Sequence, residues 1–390
     1  MSAGLSAERK RGWFAVAFER IIGQKRAIGL LQNVLKSGRL GHAYLFDGPV
    51  GVGKFAVAVE FARALLCEQP TESGACGQCS SCRQVDQLGH PSLKVLLPGP
   101  KEMDADRERQ LLNELAAEPY NVERTLKHPT ISLQRVHELR HFAAFAGQGE
   151  RGAVVLIPVA DRMTQEAANS LLKTLEEPAP GLRLILTTAD PGALPATIVS
   201  RCQRLRFPPL TDEDVATALV ERFNAEPETA RMVARLSSGN FSLALSWLEA
   251  DTSSMWDLAV EFLRAAVKDL RSQAEFVSSL VPRSDNRRAK KKANLELSER
   301  AVLLEFLDVL QVWLRDAQLV RELGPEAAKP LLVNPHQLET LVRFNTNLKN
   351  VDYAAVFSAL DEAGQQYRRN VSAFLLLMGL VQRFHRAIRR

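Results

Sequence analysis

The segment from residue 43 to residue 66 has the residue types that bind a phosphate group. Its centre is a glycine-rich loop, Gly48-Pro49-Val50-Gly51-Val52-Gly53-Lys54, preceded by a predicted strand (Ala43–Phe46) and followed by an apolar predicted helix (Phe55–Leu66). Glycines allow a tight turn whose N–H groups point at phosphate oxygens, and the helix N-terminus adds partial positive charge. This order of strand, loop and helix predicts a P-loop. Its phosphate-binding residues would be Gly48, Gly51, Gly53 and Lys54.

The residues that should hold a magnesium ion are missing from the same site. A P-loop lysine is normally followed by Ser or Thr, whose hydroxyl binds magnesium, whereas this chain has Phe55. A second buried strand is predicted at Ala153–Ile157, and acidic residues are expected directly after it. Pro158 and Val159 occupy those positions, and Asp161 is expected only to cap a helix or pair with a neighbour. We therefore expect weak ATP binding or none, and no magnesium site.

Four of the five cysteines form a second chemical pattern. They follow the spacing C-x8-C-x2-C-x2-C and are Cys67, Cys76, Cys79 and Cys82. Small and polar residues that favour turns separate them, so four thiolates could surround one tetrahedral zinc ion with Zn–S distances of about 2.3 Å. Because no coordination position is left open, the zinc would be structural. Free cysteines, a redox pair and an iron–sulfur cluster are weaker alternatives.

Composition sets the broader limits. A chain of 390 residues is expected to form two or three domains, and 46% hydrophobic residues are ample for a buried core. The net charge of +5 permits contact with nucleic acid without arguing for it. There is no apolar run long enough to span a membrane and no secretory signal, so we expect a cytoplasmic protein with no membrane partner.

The order of predicted elements indicates the fold. Strands and helices alternate as far as residue 208, which implies an α/β domain with a right-handed, doubly wound parallel sheet. Everything after it is helical except a basic segment, residues 283–295, which we interpret as a solvated hinge. The predicted domains are 1–208 with the cysteine module at 67–82, a small helical domain at 209–282, and an all-α domain at 296–390. This is the layout of an AAA+ protein with a helical lid and a C-terminal collar.

Several motifs in this order resemble one group of AAA+ proteins, the clamp-loader subunits of bacterial DNA polymerase III. The resemblance covers roughly residues 15–250. It rests on the glycine loop, the four-cysteine insert and three further motifs: Gly23-Gln24, Asn169-Ser-Leu-Leu-Lys-Thr-Leu-Glu-Glu-Pro178 and Ser200-Arg-Cys-Gln203. A lone P-loop would be far less specific.

The departures from the family pattern indicate which kind of subunit is present. The family's ATPase, gamma/tau, needs groups that bind magnesium, activate water and sense the nucleotide. This chain has Phe55, Pro158 and Val159 at the first two sets of positions, and Ser242 aligns with a sensor arginine. The resemblance is therefore to delta-prime, the subunit that does not hydrolyse ATP.

Resemblance also gives Arg201 a role. In this family the arginine of the Ser-Arg-Cys motif acts in trans, as an arginine finger on ATP held by a neighbouring subunit. The implied partners are gamma/tau and delta subunits, with the sliding clamp and primer-template DNA in the assembled complex. An ordinary surface arginine is the alternative for Arg201 itself.

Two other functions stay open at this stage. The first is an ATP-hydrolysing, gamma/tau-like motor subunit, since the glycines and Lys54 are retained. The second is a zinc-dependent nucleic-acid-binding protein. It is disfavoured because residues 68–90 contain one arginine, Arg83, and no lysine.

Overall fold

The computed structural model describes residues 18–99, 103–126, 130–146, 151–249, 252–281, 300–368 and 371–388. The chain divides into two compact units, Met1–Ser246 and Trp247–Arg390. The predicted hinge at residues 283–295 lies outside the described residues.

The first unit is built on a five-stranded parallel sheet with the spatial order β2-β3-β4-β1-β5. The strands are β1 (Ala43–Asp47), β2 (Leu93–Val95), β3 (Ala153–Ile157), β4 (Leu182–Thr188) and β5 (Gln203–Arg206). Every residue of β1 and β3 is buried, as expected for central strands of a parallel sheet covered on both faces. The predicted parallel sheet is confirmed, and β1 lies between β4 and β5.

Eleven helices are described between residue 25 and residue 249. They are α1 (Lys25–Ser37), α2 (Lys54–Leu66), α3 (Ser80–Asp86), α4 (Ala105–Ala117), α5 (Val122–Thr125), α6 (Leu133–Ala146), α7 (Gln165–Glu176), α8 (Ala196–Val199), α9 (Asp212–Phe223), α10 (Pro227–Ser237) and α11 (Phe241–Glu249). Thr164 caps α7 by accepting a hydrogen bond from the backbone N–H of Ala167. The main apolar core joins the sheet to α6 and α7.

Helix α2 is buried along its whole length. Because Glu60 and Arg63 point into this interior, their charges require partners. Arg63 pairs with Glu60, and Arg20 pairs with both Glu60 and Asp86. The Arg20 Nη2 to Asp86 Oδ1 distance is 2.7 Å, and Asp86 is the last residue of α3. This ionic cluster connects α2 to the helix of the cysteine module.

The regular structure described for the second unit is helical. Its elements are α12 (Thr252–Ala266), α13 (Leu270–Leu280), α14 (Arg300–Leu323), α15 (Pro325–Ala328), α16 (Leu338–Asn347), α17 (Tyr353–Arg368) and α18 (Ala373–Ile388). Phe262 is central to its core and contacts Phe276, Phe306 and Phe384 edge to face. Within the described residues, no helix is both long and apolar enough to cross a bilayer.

Candidate functional site

The glycine loop lies between β1 and α2, where the sequence predicts it. Lys54 is the first residue of α2 and is 6% exposed. Its ammonium donates hydrogen bonds to the carbonyl oxygens of Gly48 (2.8 Å) and Pro49 (2.6 Å). Burial lowers the pKa of Lys54, and nearby carboxylates, with Glu123 the largest contributor, oppose that decrease. The loop therefore satisfies its own lysine.

Two loop glycines are required by their backbone and by close contacts. Gly51 and Gly53 have backbone φ angles of 72° and 93°. Residues other than glycine rarely adopt such positive φ angles. A Cβ on Gly51 would lie 1.7 Å from Oδ1 of Asn240, and one on Gly53 would lie 2.6 Å from Cε1 of Tyr120. Residues distant in the sequence thus pack directly against the loop.

Tyr120 and its neighbours form a layer over this loop. Tyr120 accepts a hydrogen bond from the backbone N–H of Ile22 at 2.8 Å, and its ring contacts Phe241 edge to face. Burial raises the pKa of Tyr120 to about 12, so the hydroxyl stays protonated at neutral pH. Asn121 Oδ1 accepts a hydrogen bond of 2.6 Å from the Ser242 hydroxyl. A buried residue from the segment between β2 and β3, Tyr120, therefore lies directly against the loop.

Among the residues that the structure describes, positions 158 and 159 at the end of β3 are Pro and Val and provide no carboxylate. Phe55 is 2% exposed and packs as a core residue. Val159 is buried and adopts a left-handed backbone, with φ of 50°, which is unfavourable for a β-branched side chain. Two of the acids near Lys54 make other contacts. Asp161 accepts a hydrogen bond of 2.7 Å from the Thr188 hydroxyl, as predicted for a residue paired with a neighbour, and Arg204 holds Asp47 through two contacts of 2.8 Å.

Arg201 follows the short helix α8 and lies at the protein surface, with 37% of its side chain exposed. One amino group, Nη2, pairs with Glu176 Oε1 at 2.8 Å, and the other, Nη1, donates to the carbonyl of Thr197 at 3.1 Å. The adjacent Cys202 packs against the main core, and burial raises the pKa of its thiol to about 12. Cys202 is accordingly an unreactive packing residue.

The four predicted cysteine ligands come together at the C-terminal end of α2. All four Sγ atoms lie within 4.8 Å of one another. The Cys67–Cys79 and Cys76–Cys82 sulfur distances are both 3.9 Å, close to the roughly 3.8 Å edge of a tetrahedron with Zn–S bonds of about 2.3 Å. The arrangement could hold a zinc ion.

Backbone N–H groups point at three of the four sulfurs, although burial raises the pKa of Cys67 and of Cys82. The N–H groups of Gln78 and Cys79 point at Cys76 Sγ, at 3.5 and 3.4 Å. Desolvation would raise the pKa of Cys76, but these donors lower it to about 6. Cys67 accepts from the N–H of Cys76 at 3.2 Å, and Cys79 accepts from that of Cys82 at 3.4 Å. Such N–H to sulfur bonds stabilise the deprotonated form that a metal requires.

A hydrogen-bonded chain beside the cysteines positions the loops that carry them. Glu68 Oε1 accepts from the backbone N–H of Ser81 (3.1 Å) and from its hydroxyl (2.9 Å). His90 Nδ1 accepts from the N–H of Ser92, so its Nε2 is the donor toward Ser81 Oγ, 3.1 Å away. Ser81 therefore gives its proton to Glu68, which excludes His90 as a base that activates this serine. Outer contacts of this kind orient metal ligands.

Sequence reasoning missed the residues that cover the loop and the ionic cluster on α2. Tyr120 and Asn240 are 67 and 187 positions from Gly53, and no local pattern connects them to it. Glu60 and Arg63 had a signal, since two charges interrupt an otherwise apolar helix.

A parallel sheet with a glycine loop between β1 and α2 defines the class of P-loop folds, and positions 55, 158 and 159 of this chain carry no oxygen-bearing side chain. Comparison with known proteins agrees with this class. Residues 23–211 match the family model described as DNA polymerase III, delta subunit. The tau subunit of DNA polymerase III from Escherichia coli is 32% identical over 241 residues, which is 60% of this chain and 33% of that protein.

Two delta' subunits are also similar. The Bacillus subtilis delta' subunit of DNA polymerase III is 31% identical over 55% of this chain and 56% of its own length. The Pseudomonas aeruginosa delta' subunit is 36% identical over 43% of each chain. The matches thus span between one third and just over one half of these curated relatives. Residues 23–211 are thus similar to DNA polymerase III clamp-loader subunits, which confirms the predicted resemblance. Because tau and delta' relatives both match, similarity does not choose between them.

Proposed function

We propose that this chain is the non-hydrolysing, delta-prime-type subunit of a DNA polymerase III clamp loader. The observation that carries the proposal is the loss of magnesium chemistry on both sides of the phosphate loop. Phe55 is a buried core residue, and Pro158 and Val159 stand where the acidic residues would be. Magnesium neutralises charge that develops on the phosphates, so a site without its ligands loses most of its catalysis.

The packing of the loop supports the same proposal. Lys54 is hydrogen-bonded to loop carbonyls, and Tyr120 and Asn240 lie directly against Gly53 and Gly51. These contacts give the loop a stabilising role within the fold. Nucleotide binding is accordingly weak or absent, and what binding remains would depend on Lys54.

The proposed contribution to catalysis is Arg201, supplied in trans to ATP on a neighbouring gamma/tau subunit. An exposed guanidinium at the end of α8 is chemically suited to a phosphate because it is always charged and donates in a planar fork. Arginine fingers accelerate phosphoryl transfer by about 10³–10⁵-fold. The other partners in this proposal are the delta subunit, the sliding clamp and primer-template DNA, in a cytoplasmic complex held together by the helices of the second unit.

The cysteine module is proposed to bind structural zinc. Cys67, Cys76, Cys79 and Cys82 would supply all four ligands, and the ion would hold the segment between α2 and α3 in place. A closed set of four thiolates leaves no position for substrate.

One observation favours the alternative, an ATP-hydrolysing gamma/tau-like motor. The loop glycines keep positive φ angles and Lys54 stays beside the loop, as a working P-loop requires. The two functions differ in whether the chain hydrolyses ATP by itself.

The deciding experiment measures ATPase activity of the purified chain alone, and again in a complex reconstituted with gamma/tau, delta, clamp and primed DNA. We expect no activity alone and a rate in the complex that falls with Arg201→Ala. Arg271→Ala is the matched control, since Arg271 is also exposed and pairs with Glu275 of its own chain at 3.1 Å. Hydrolysis by the chain alone that disappears with Lys54→Ala would establish the motor subunit instead.

A further inference from the structure

Both amino groups of the Arg201 guanidinium are held by this chain. Nη2 contacts Glu176 at 2.8 Å and Nη1 contacts the Thr197 carbonyl at 3.1 Å. A guanidinium grips a phosphate or carboxylate best through two parallel N–H donors. Arg201 therefore has to leave Glu176, Thr197 or both before it can bind a phosphate in that way.

The ion pair between Arg201 and Glu176 is weak enough for Arg201 to exchange Glu176 for a phosphate. Arg201 and Glu176 are 37% and 50% exposed, and exposed ion pairs of this kind shift an equilibrium by only about 1.4- to 5-fold. A nucleoside triphosphate carries several negative charges and would outcompete a single solvated carboxylate. The pair can thus order Arg201 in the free chain without preventing its transfer.

Two other cationic side chains line the same cavity as Glu176 and are available to replace Arg201. Glu176 lines an open surface cavity of about 410 Å³, together with Arg140, Lys173 and Glu177. Within the described part of the chain, neither Arg140 nor Lys173 forms a salt bridge. Exchange of Arg201 for one of these two side chains would leave Glu176 paired and lower the cost of release.

We propose that Glu176 is a positioning residue that holds Arg201 in a docked state and releases it to the triphosphate of a neighbouring subunit. This inference rests on the proposed trans role of Arg201 and adds a residue that regulates when Arg201 is available. Until a neighbouring subunit presents nucleotide, Arg201 stays paired with Glu176 of its own chain. Glu176 thereby sets a small threshold for hydrolysis at the shared site.

The test is Glu176→Gln in the reconstituted complex, with kcat/KM for ATP as the measured quantity. This parameter compares the transition state with the free complex, where Arg201 is docked. Removing the docking partner should therefore raise the Arg201-dependent part of kcat/KM, obtained by subtracting the Arg201→Ala rate, by about 1.4- to 5-fold. The increase should shrink as salt is added, because salt screens exposed pairs.

Two controls separate docking from general electrostatics. Glu177→Gln removes the same charge one residue away in the same cavity and should produce a smaller change. In the Arg201→Ala background, Glu176→Gln should have no effect, because a double-mutant cycle isolates the coupling between the two side chains. A purely structural role for Glu176 would give the same effect in both backgrounds.

The possible outcomes distinguish this inference from the function it rests on. If Arg201→Ala leaves the rate of the complex unchanged, the trans finger is wrong, and the docked state is wrong with it. If Arg201→Ala lowers the rate but Glu176→Gln leaves kcat/KM equal to or below wild type, only the docking is overturned. An increase of the same size with Glu177→Gln would also overturn it.

Discussion

The two ends of α2 each carry a sequence pattern associated with metal binding, and only the pattern at the C-terminal end has all of its ligands. At its C-terminal end, Cys67 joins three other cysteines whose sulfurs have the spacing of a tetrahedral site. At its N-terminal end, the loop keeps its glycines and Lys54 but has Phe55 where a magnesium ligand belongs. The difference teaches that a loop can keep its glycine backbone where the residue expected to bind magnesium is replaced by a packed phenylalanine.

We expect the largest effect from a substitution in the four-cysteine site at the C-terminal end of α2. Cys82→Ser removes one of four ligands, and we expect zinc content to fall from about one ion per chain to almost none. Because structural zinc contributes on the order of 10–16 kcal/mol of apparent binding energy in small domains, chelation should also unfold the segment between α2 and α3. Metal analysis and limited proteolysis measure both effects. Cys202→Ser, at a cysteine outside the cluster, should keep its zinc; equal zinc in the two variants would refute the site.

At the N-terminal end of α2, Phe55→Thr restores the hydroxyl that a P-loop normally has after its lysine. The variant tests whether this hydroxyl alone suffices for ATP hydrolysis. Phe55 is 2% exposed, so its loss should cost about 3–5 kcal/mol in the free energy of unfolding. The variant should still not hydrolyse ATP with magnesium, because Pro158 and Val159 provide no ligand. Denaturant unfolding and an ATPase assay check the two parts, with Phe55→Leu as the variant that retains apolar packing. Magnesium-dependent turnover by Phe55→Thr would mean that one hydroxyl suffices.

Gly51→Ala asks whether the loop is now part of the packed fold. The new Cβ would meet Asn240 and require alanine at a φ of 72°, so we expect a loss of about 1–3 kcal/mol in unfolding free energy. Gly379→Ala is the control, since a Cβ there meets nothing within 4 Å and alanine favours helix α18 by up to about 1 kcal/mol. Thermal unfolding would show opposite shifts. A neutral Gly51→Ala would indicate a loosely packed loop.

The smallest effect concerns the strained residue at the degenerate site. Val159→Gly loses a buried side chain but relieves a left-handed backbone worth about 1–2 kcal/mol. Val155→Gly, in the neighbouring strand and fully buried, loses its side chain with no such relief. We therefore expect Val155→Gly to be the more destabilised by about 1–2 kcal/mol, measured by urea unfolding. Equal losses would mean that position 159 stores no strain.

Much of the first unit could be predicted because its signals are local. The bounds of β3 match the predicted Ala153–Ile157, since this strand is a continuous apolar run. Strand β2 is short, Leu93–Val95. It is an edge strand that pairs only with β3, so the ladder ends where that partner ends.

What could not be predicted depends on contacts between distant segments. The cysteine site was predictable because four ligands lie within 16 consecutive residues, 67–82. The covering of the glycine loop by Tyr120 and Asn240 was not, since it depends on where two other segments return to the sheet. The docking of Arg201 on Glu176 likewise joins a loop to the end of α7 across 25 positions.

The complete burial of α2 has a consequence for hydrogen exchange. Every residue of this helix is buried, so its amide protons should exchange through opening of the surrounding unit and seldom through fraying. The helix also joins the glycine loop to Cys67 and is held at its middle by the Glu60 and Arg63 ion pairs. The protection factors of its amides are therefore one probe that reports on both ends at once, and loss of metal should accelerate exchange as far away as the loop.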